Sequence, residues 1–264
     1  MRYFAAPLVE KRQLNRDNFL LYFRDEEIAS TALPGQFAMI AADTNIADPF
    51  PILMRPFSFF GVDAENRRFS ILIKVVGLGT QLMVQFPIGA QVPMIGPLGN
   101  QFELCPWKQM VMVAGGVGIA PFYLLAQKLS GRGTQPVLFY GARSRDDLVT
   151  MEEFQSLNVE VHAATEDGSY GTRGFVTEPL ARFLQAHADC DLMACGPHAM
   201  LAAVTRLAKL HRSSLQISVE CFMGCGFGAC FGCAVETVDG FRLACRYGPV
   251  FDGHKLKWDG LSHV

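Results

Sequence analysis

Met110-Val111-Met112-Val113-Ala114-Gly115-Gly116-Val117-Gly118-Ile119-Ala120-Pro121 is the stretch that decides how the chain folds. Its five apolar residues suit a strand buried on both faces, its glycines a tight turn, and Pro121 the first turn of a helix, where the missing N–H costs nothing. Strand, glycine turn and helix in that order form the setting in which N–H groups at a helix N-terminus hold a dinucleotide phosphate. Gly115, Gly116 and Gly118 are the candidate contacts. The run departs from Gly-x-Gly-x-x-Gly in having proline last, so by itself it would also serve as a packing turn.

The same rhythm continues downstream. Apolar strands at 110–114, 137–140, 159–163 and 191–194 alternate with helical stretches at 121–130, 151–157, 177–186 and 197–209, which predicts a doubly wound parallel sheet over residues 105–215. Upstream, residues 1–104 hold short β-rich runs at 19–23, 36–41, 57–60, 68–76 and 91–95. Pro34-Gly35, Gly77 and Gly89 separate them at the spacing of a small antiparallel barrel. Residues 216–264 are too few to bury a core of their own, and they read as an appended unit ordered by a metal. The fold class expected is therefore a β barrel plus an α/β sheet domain and a small C-terminal segment.

A chain of 264 residues that is 50% apolar has the core for about two domains. The net charge of -2 is spread without a basic run, which argues against a nucleic-acid or anionic-membrane partner. Residues 1–10 carry too short an apolar run for a secretory signal, and 110–126 is broken by glycine and proline, so neither export nor a membrane span is expected. Eight cysteines, four in metal spacing and the others (Cys105, Cys190, Cys195, Cys221) scattered, suit a reducing compartment, the cytoplasm.

Those four are Cys225, Cys230, Cys233 and Cys245, spaced C-x4-C-x2-C-x11-C among Gly224, Gly226, Gly228 and Gly232. The spacing is that of a plant-type [2Fe-2S] site except for the short last gap, which predicts a tight hairpin over 234–243 with its turn at Asp239-Gly240. Soft thiolates hold iron and spread its charge, and a glycine-rich loop aims N–H groups at the sulfurs, so such a site carries single electrons. A structural zinc is the alternative, but zinc ribbons pair C-x2-C with C-x2-C. Cys221 reads as a packed thiol.

Three further motifs offer chemistry. Arg55-Pro56-Phe57-Ser58 sets a guanidinium that could grip a diphosphate beside a hydroxyl that could bond a ring system. Gly77-Leu78-Gly79-Thr80, with Thr80 capping a helix over 81–86, makes an anion site, and the backbone of Leu72, Ile73 and Lys74 could line a flat ring. Cys195-Gly196-Pro197 ends another strand, at the sheet edge where ligands collect; Cys195 is either a core thiol or a nicotinamide neighbour. Arg143, Ser144 and Arg145 would meet a ribose phosphate or solvent, which leaves NAD and NADP both open. The six histidines, at 162, 187, 198, 211, 254 and 263, form no triad or pair, so no general base is evident.

In this order the motifs resemble the ferredoxin-NADP reductase superfamily, and Ser218-Val219-Glu220, residues 223–230, and Cys245 followed by Gly248-Pro249-Val250-Phe251 are most similar to electron-transfer subunits of dihydroorotate dehydrogenase B. The resemblance spans nearly the whole chain. It implies an FAD-binding barrel (1–104), an NAD-binding domain (105–215) and a [2Fe-2S] segment (216–264). Arg55 to Ser58, Leu72 to Lys74, and Gly79-Thr80 would contact FAD, although the wider superfamily often has tyrosine where Phe57 stands. It also implies an FMN-containing catalytic subunit as partner, in a heterotetramer of two of each, whose electrons pass through the cluster and FAD to NAD+ in pyrimidine biosynthesis. The alternative is an NAD(P)H-dependent flavin and iron-sulfur reductase serving ferredoxin, an oxygenase or another redox protein.

Overall fold

The computed structural model describes residues 1–44, 51–104, 109–130, 135–187 and 189–258. Cys105, where the second domain is expected to begin, and His263 lie outside the described residues.

Strands β1 (Arg2–Gln13), β2 (Asn18–Arg24), β3 (Phe37–Ile40), β4 (Arg55–Asp63), β5 (Arg68–Lys74) and β6 (Gln91–Leu98) close into an antiparallel barrel in the order β1-β2-β5-β4-β3-β6. Closure leaves no free edge. Helices α1 (Glu26–Thr31) and α2 (Leu78–Gln85) sit in its connections. Alternate residues point inward, and Phe23 and Phe59 meet the ring of Phe69 stacked and edge-on at 5.5 and 5.6 Å. Strand β1 is longer than its broken hydrophobic pattern suggests because its halves serve different neighbours. Arg2 to Pro7 pair with β6, and Leu8 to Gln13 pair with β2 across an irregularity at Leu8/Glu10.

The second half is a sheet of β7 (Gln109–Gly115), β8 (Val137–Ala142), β9 (Glu160–Thr165), β10 (Thr172–Arg173), β11 (Cys190–Cys195) and β12 (Ser214–Ser218), with helices α3 (Ala120–Ser130), α4 (Met151–Ser156), α5 (Thr177–Ala186) and α6 (His198–His211) between strands. The order is β10-β9-β8-β7-β11-β12, all pairs parallel. Strands are added on one side of β7 and then, from β11, on the other. The carboxyl ends of β7 and β11 are therefore the switch point where ligands of open α/β sheets bind.

One feature differs from expectation. The C-terminal segment is not a detached appendage. After the hairpin β13 (Ala234–Thr237) and β14 (Gly240–Leu243) and the turn α7 (Ala244–Tyr247), strand β15 (Val250–Asp252) joins the large sheet antiparallel to β12, which itself runs across residue 215. Asn100, just past the barrel, exchanges hydrogen bonds with Val250, donating to its carbonyl at 2.7 Å and accepting from its N–H at 2.9 Å. Helix α3 joins barrel to sheet: Phe122 stacks on Phe102 at 5.7 Å, Tyr123 on Phe60 at 4.6 Å, and Gln127 bonds the backbone of Val62 in both directions at 3.1 Å.

Phe122 is fully buried in this joint. Phe122→Ala should lower the stability of the chain by about 3–5 kcal/mol in urea unfolding followed by circular dichroism.

Candidate functional site

Each glycine motif is paired with a second motif by close backbone approach. A Cβ on Gly79 would stand 2.6 Å or less from the Arg55 guanidinium, so the first two motifs of the barrel share one cradle at the start of α2. That helix begins at Leu78, earlier than expected, because Thr80 caps from within the first turn. Its hydroxyl accepts the N–H groups of Val76 and Gly77 and donates to the Gly77 carbonyl. Arg55 and free N–H groups of a helix start suit a diphosphate. Burial lowers the Arg55 pKa, and its Nη1 donates to the Leu53 carbonyl. Leu72 and Ile73 are buried in the cores on either side, so only their backbone can face a ring, and Phe57 packs partly against the barrel core. Lys74 pairs with Asn18 in the ladder, and both open onto the main cavity.

That cavity, of about 610 Å³, lies at the switch point. Gly115, Gly116, Gly118, Gly196 and Pro197 line it. A Cβ on Gly118 would lie 2.5 Å from the Cys195 carbonyl oxygen and one on Gly115 2.6 Å from Pro197 Cδ, so these glycines let the two turns touch. Gly116, at φ +54 with nothing within 4 Å, offers open backbone to a ligand. Cys195 itself is 1% exposed and not part of the wall; its sulfur reaches Glu220 Oε1 at 3.9 Å. Burial, and then the Glu220 charge, hold its thiol well above the usual range, so it is a neutral packed thiol. Glu220 lines the cavity and is itself solvent-exposed. Arg143 lines the cavity too, with Nε and Nη2 at 3.1 and 3.4 Å from the Asp147 carboxylate. Arg145 instead stacks over Tyr170 at 5.1 Å. Asn18, Phe175, Glu166 and Trp258 are lining residues that no motif announces; only assembly of distant strands brings them together with Glu220.

The cysteines form two pairs. The β13–β14 register sets Ala234 opposite Leu243, and the Ala244 N–H donates to the Cys233 carbonyl at 2.9 Å, which returns Cys245 to within 3.2 Å of Cys233, sulfur to sulfur. In the other pair, Cys225 Sγ accepts the N–H groups of Ala229 and Cys230 at 3.3 and 3.4 Å. Burial disfavours the Cys225 thiolate, but N–H groups of Phe227, Cys230 and Ala229 and the Cys230 thiol outweigh it and bring the pKa down to about 6. Burial, with the Cys233 thiol adding to it, pushes Cys245 up to about 12, and burial with Cys233, Cys245 and Glu220 pushes Cys221 to about 12 as well. Among the described residues no three His, Cys, Asp or Glu side chains surround a single point. Two thiol pairs fit a two-iron core, with two ligands per iron, better than one tetrahedral zinc. Gly226 lies on the barrel wall, where a Cβ would be 2.3 Å from Met39, and Met39 pairs with Pro56 in the β3–β4 ladder. The cysteine loop and the Arg-Pro-Phe-Ser strand are thus neighbours through one side chain.

A flavin-type barrel, a dinucleotide-type sheet and a cysteine loop seated between them define a ferredoxin reductase-like oxidoreductase. Residues 112–206 match the oxidoreductase NAD-binding domain, and residues 220–257 match the iron-sulfur cluster binding domain of dihydroorotate dehydrogenase B. The fold superposes with TM-score 0.86 on a chain of the NADH-dependent reduced ferredoxin-NADP oxidoreductase, 28% identical, covering 97% of this chain and 91% of that one. It also superposes with TM-score 0.69 on the ferredoxin reductase in carbazole 1,9a-dioxygenase, 23% identical over 80% of this chain and 66% of that one, a likeness of fold. The chain is 34% identical to the dihydroorotate dehydrogenase B (NAD(+)) electron transfer subunit of Shouchella clausii, over 92% of its own length and 94% of the relative's. It is 32% identical to that of Desulforamulus reducens, over 97% and 98%. The chain belongs to the family of dihydroorotate dehydrogenase B electron transfer subunits.

Two outcomes follow from the geometry. Gly118→Ala should abolish measurable NAD+ binding and destabilise the chain by at least about 2 kcal/mol, because the added methyl meets backbone that cannot yield. In the metal-free chain, alkylation by iodoacetamide followed by mass spectrometry should rise at Cys225 with a midpoint near pH 6, as the thiolate forms, while Cys221, held near 12, stays unmodified at pH 8.

Proposed function

We propose that this chain is the electron transfer subunit of an NAD-linked dihydroorotate dehydrogenase of pyrimidine biosynthesis. A separate FMN-containing subunit oxidises dihydroorotate to orotate, and this chain conveys the electrons to NAD+. The work divides as 1–104 for FAD, 105–215 for NAD and 216–264 for the cluster. The observation that carries this reading is the seating of the Cys225 to Cys245 segment on Met39, one ladder step from the Arg55 to Ser58 strand, in a chain whose relatives match it end to end.

FAD and a [2Fe-2S] cluster, when bound, supply the exchange between one-electron and two-electron transfer. The chain's own residues hold and orient. Arg55 and the start of α2, with Gly79 and Thr80, bind the pyrophosphate. Pro56, Phe57 and Ser58 and the backbone of Leu72, Ile73 and Lys74 border the ring. Gly115, Gly116, Gly118, Gly196 and Pro197 bind the dinucleotide, with Cys195 packed behind them. Cys225, Cys230, Cys233 and Cys245 hold iron. Glu220 lines the same cavity beside Cys195.

The partner's seat is the surface around Cys230. Phe222, Phe231 and Phe241 are 85%, 68% and 70% exposed, and Arg242 and Arg246 lie at 5.7 and 5.8 Å from the Tyr247 ring. Exposed aromatics with arginines are the composition of a protein interface, and they come from the same C-terminal segment as the exposed Cys230. The occupant is the catalytic subunit, two copies of each chain forming a cytoplasmic heterotetramer. Among the described residues no helix is long and apolar enough to cross a membrane.

The likeness to the NADH-dependent reduced ferredoxin-NADP oxidoreductase favours a second reading, a reductase serving another redox protein. Reconstitution decides between them. Mixed with an FMN-containing dihydroorotate dehydrogenase subunit from the same cell, the chain should confer dihydroorotate-dependent reduction of NAD+; no gain over the subunit alone would reject the first reading. The double variant F231S/F241S should weaken that association at least tenfold in analytical ultracentrifugation while keeping its FAD.

A further inference from the structure

We propose that Trp258, delivered by a segment hydrogen-bonded to the cysteine hairpin, forms part of the wall of the dinucleotide site and binds NAD directly. The proposal rests on the reading of the main cavity as that site. Beyond β15 the chain turns back along β13: the Val238 N–H donates to the Lys255 carbonyl at 2.8 Å, the Lys257 N–H donates to the Glu236 carbonyl at 3.2 Å, and Thr237 bridges Leu256. Lys257 Nζ also meets Glu236 Oε1 at 2.9 Å, and Leu256 is 4% exposed. The residue next in line, Trp258, is therefore fixed where it enters the cavity wall, beside the start of α6.

There its ring meets that of His198 edge-on, with centroids 5.2 Å apart at 66°. Trp258 Nε1 and His198 Nε2 are both buried, and neither has a hydrogen-bond partner among the described residues. Both nitrogens lie beneath the surface of the wall, so the accessible carbon edges and faces of the two rings are what the pair offers a ligand in the cavity. The ligand that suits an aromatic wall of two adjacent rings is planar, as the ring ends of a nicotinamide dinucleotide are. The phosphate end of the same ligand has Gly116 and the helix start within the same cavity. If Trp258 were only a packing residue, its loss would change stability and leave affinity alone.

The test is isothermal titration of NAD+ into the oxidised holo-chain, with FAD and iron content measured on each sample. Trp258→Leu should weaken NAD+ binding about 5- to 10-fold with both contents unchanged. In a W107F background, where Trp258 is the remaining tryptophan, NAD+ should quench its fluorescence with the same midpoint as the titration. Affinity within twofold of the parent in W258L, or fluorescence that ignores saturating NAD+, overturns the proposal while leaving the dinucleotide site standing. A parent chain that binds no NAD+ would overturn both.

Discussion

The structure depends on the return of Cys245 to Cys233. The distance is closed by a short hairpin whose register, Ala234 against Leu243, leaves the two sulfurs 3.2 Å apart. The same hairpin holds residues 255–257 along its outer edge, and the segment that follows it inserts β15 into the large sheet. A metal-binding loop of this size could not fold alone, because it has too little apolar surface to offset the entropy of ordering it. Here it borrows order from both neighbours, resting Gly226 on Met39 of the barrel and Val250 on Asn100.

That arrangement explains why the candidate sites converge. The barrel presents its Arg55 cradle and the end of β5, the sheet presents the carboxyl ends of β7 and β11, and α3 clamps the two halves through Phe60, Phe102 and Val62. Asn18 and Lys74 from the barrel share a cavity with Gly116 and Gly196 from the sheet. A ring held at the end of β5 would therefore face a dinucleotide at the switch point on one side, while the cysteine loop lies across β3 on the other. Electron transfer requires such close placement, and nothing in it demands a moving part.

Much of this was legible because it is written in local spacing. C-x4-C-x2-C-x11-C and the glycine turns are runs of a few residues whose backbone demands are independent of the rest, and the alternation of strand and helix after residue 110 reads directly as a parallel sheet. What was not legible depends on long-range register. Strand β1 is continuous through Pro7 and Glu10 because it changes partner midway, which no hydrophobic pattern records. Cys195, next to a Gly-Pro turn, turns inward rather than into the cavity because Gly118 presses on its carbonyl, and Glu220, 25 residues later in sequence, takes the place at the wall. Residues 216–264 looked separable by composition, but β12 and β15 bind them into the sheet. Trp258 carries no motif at all; its position follows from a ladder that exists once the hairpin has formed.

The central claim is that electrons travel between the dinucleotide cavity and the cysteine loop by way of the flavin cradle between them. It is tested most directly by anaerobic addition of NADH to the purified chain, with iron present and with FAD either retained or removed, followed by visible and electron paramagnetic resonance spectroscopy. The account predicts that NADH reduces the iron-sulfur centre in the FAD-containing chain and leaves it oxidised in the FAD-free chain. Reduction at equal rates in both would contradict it.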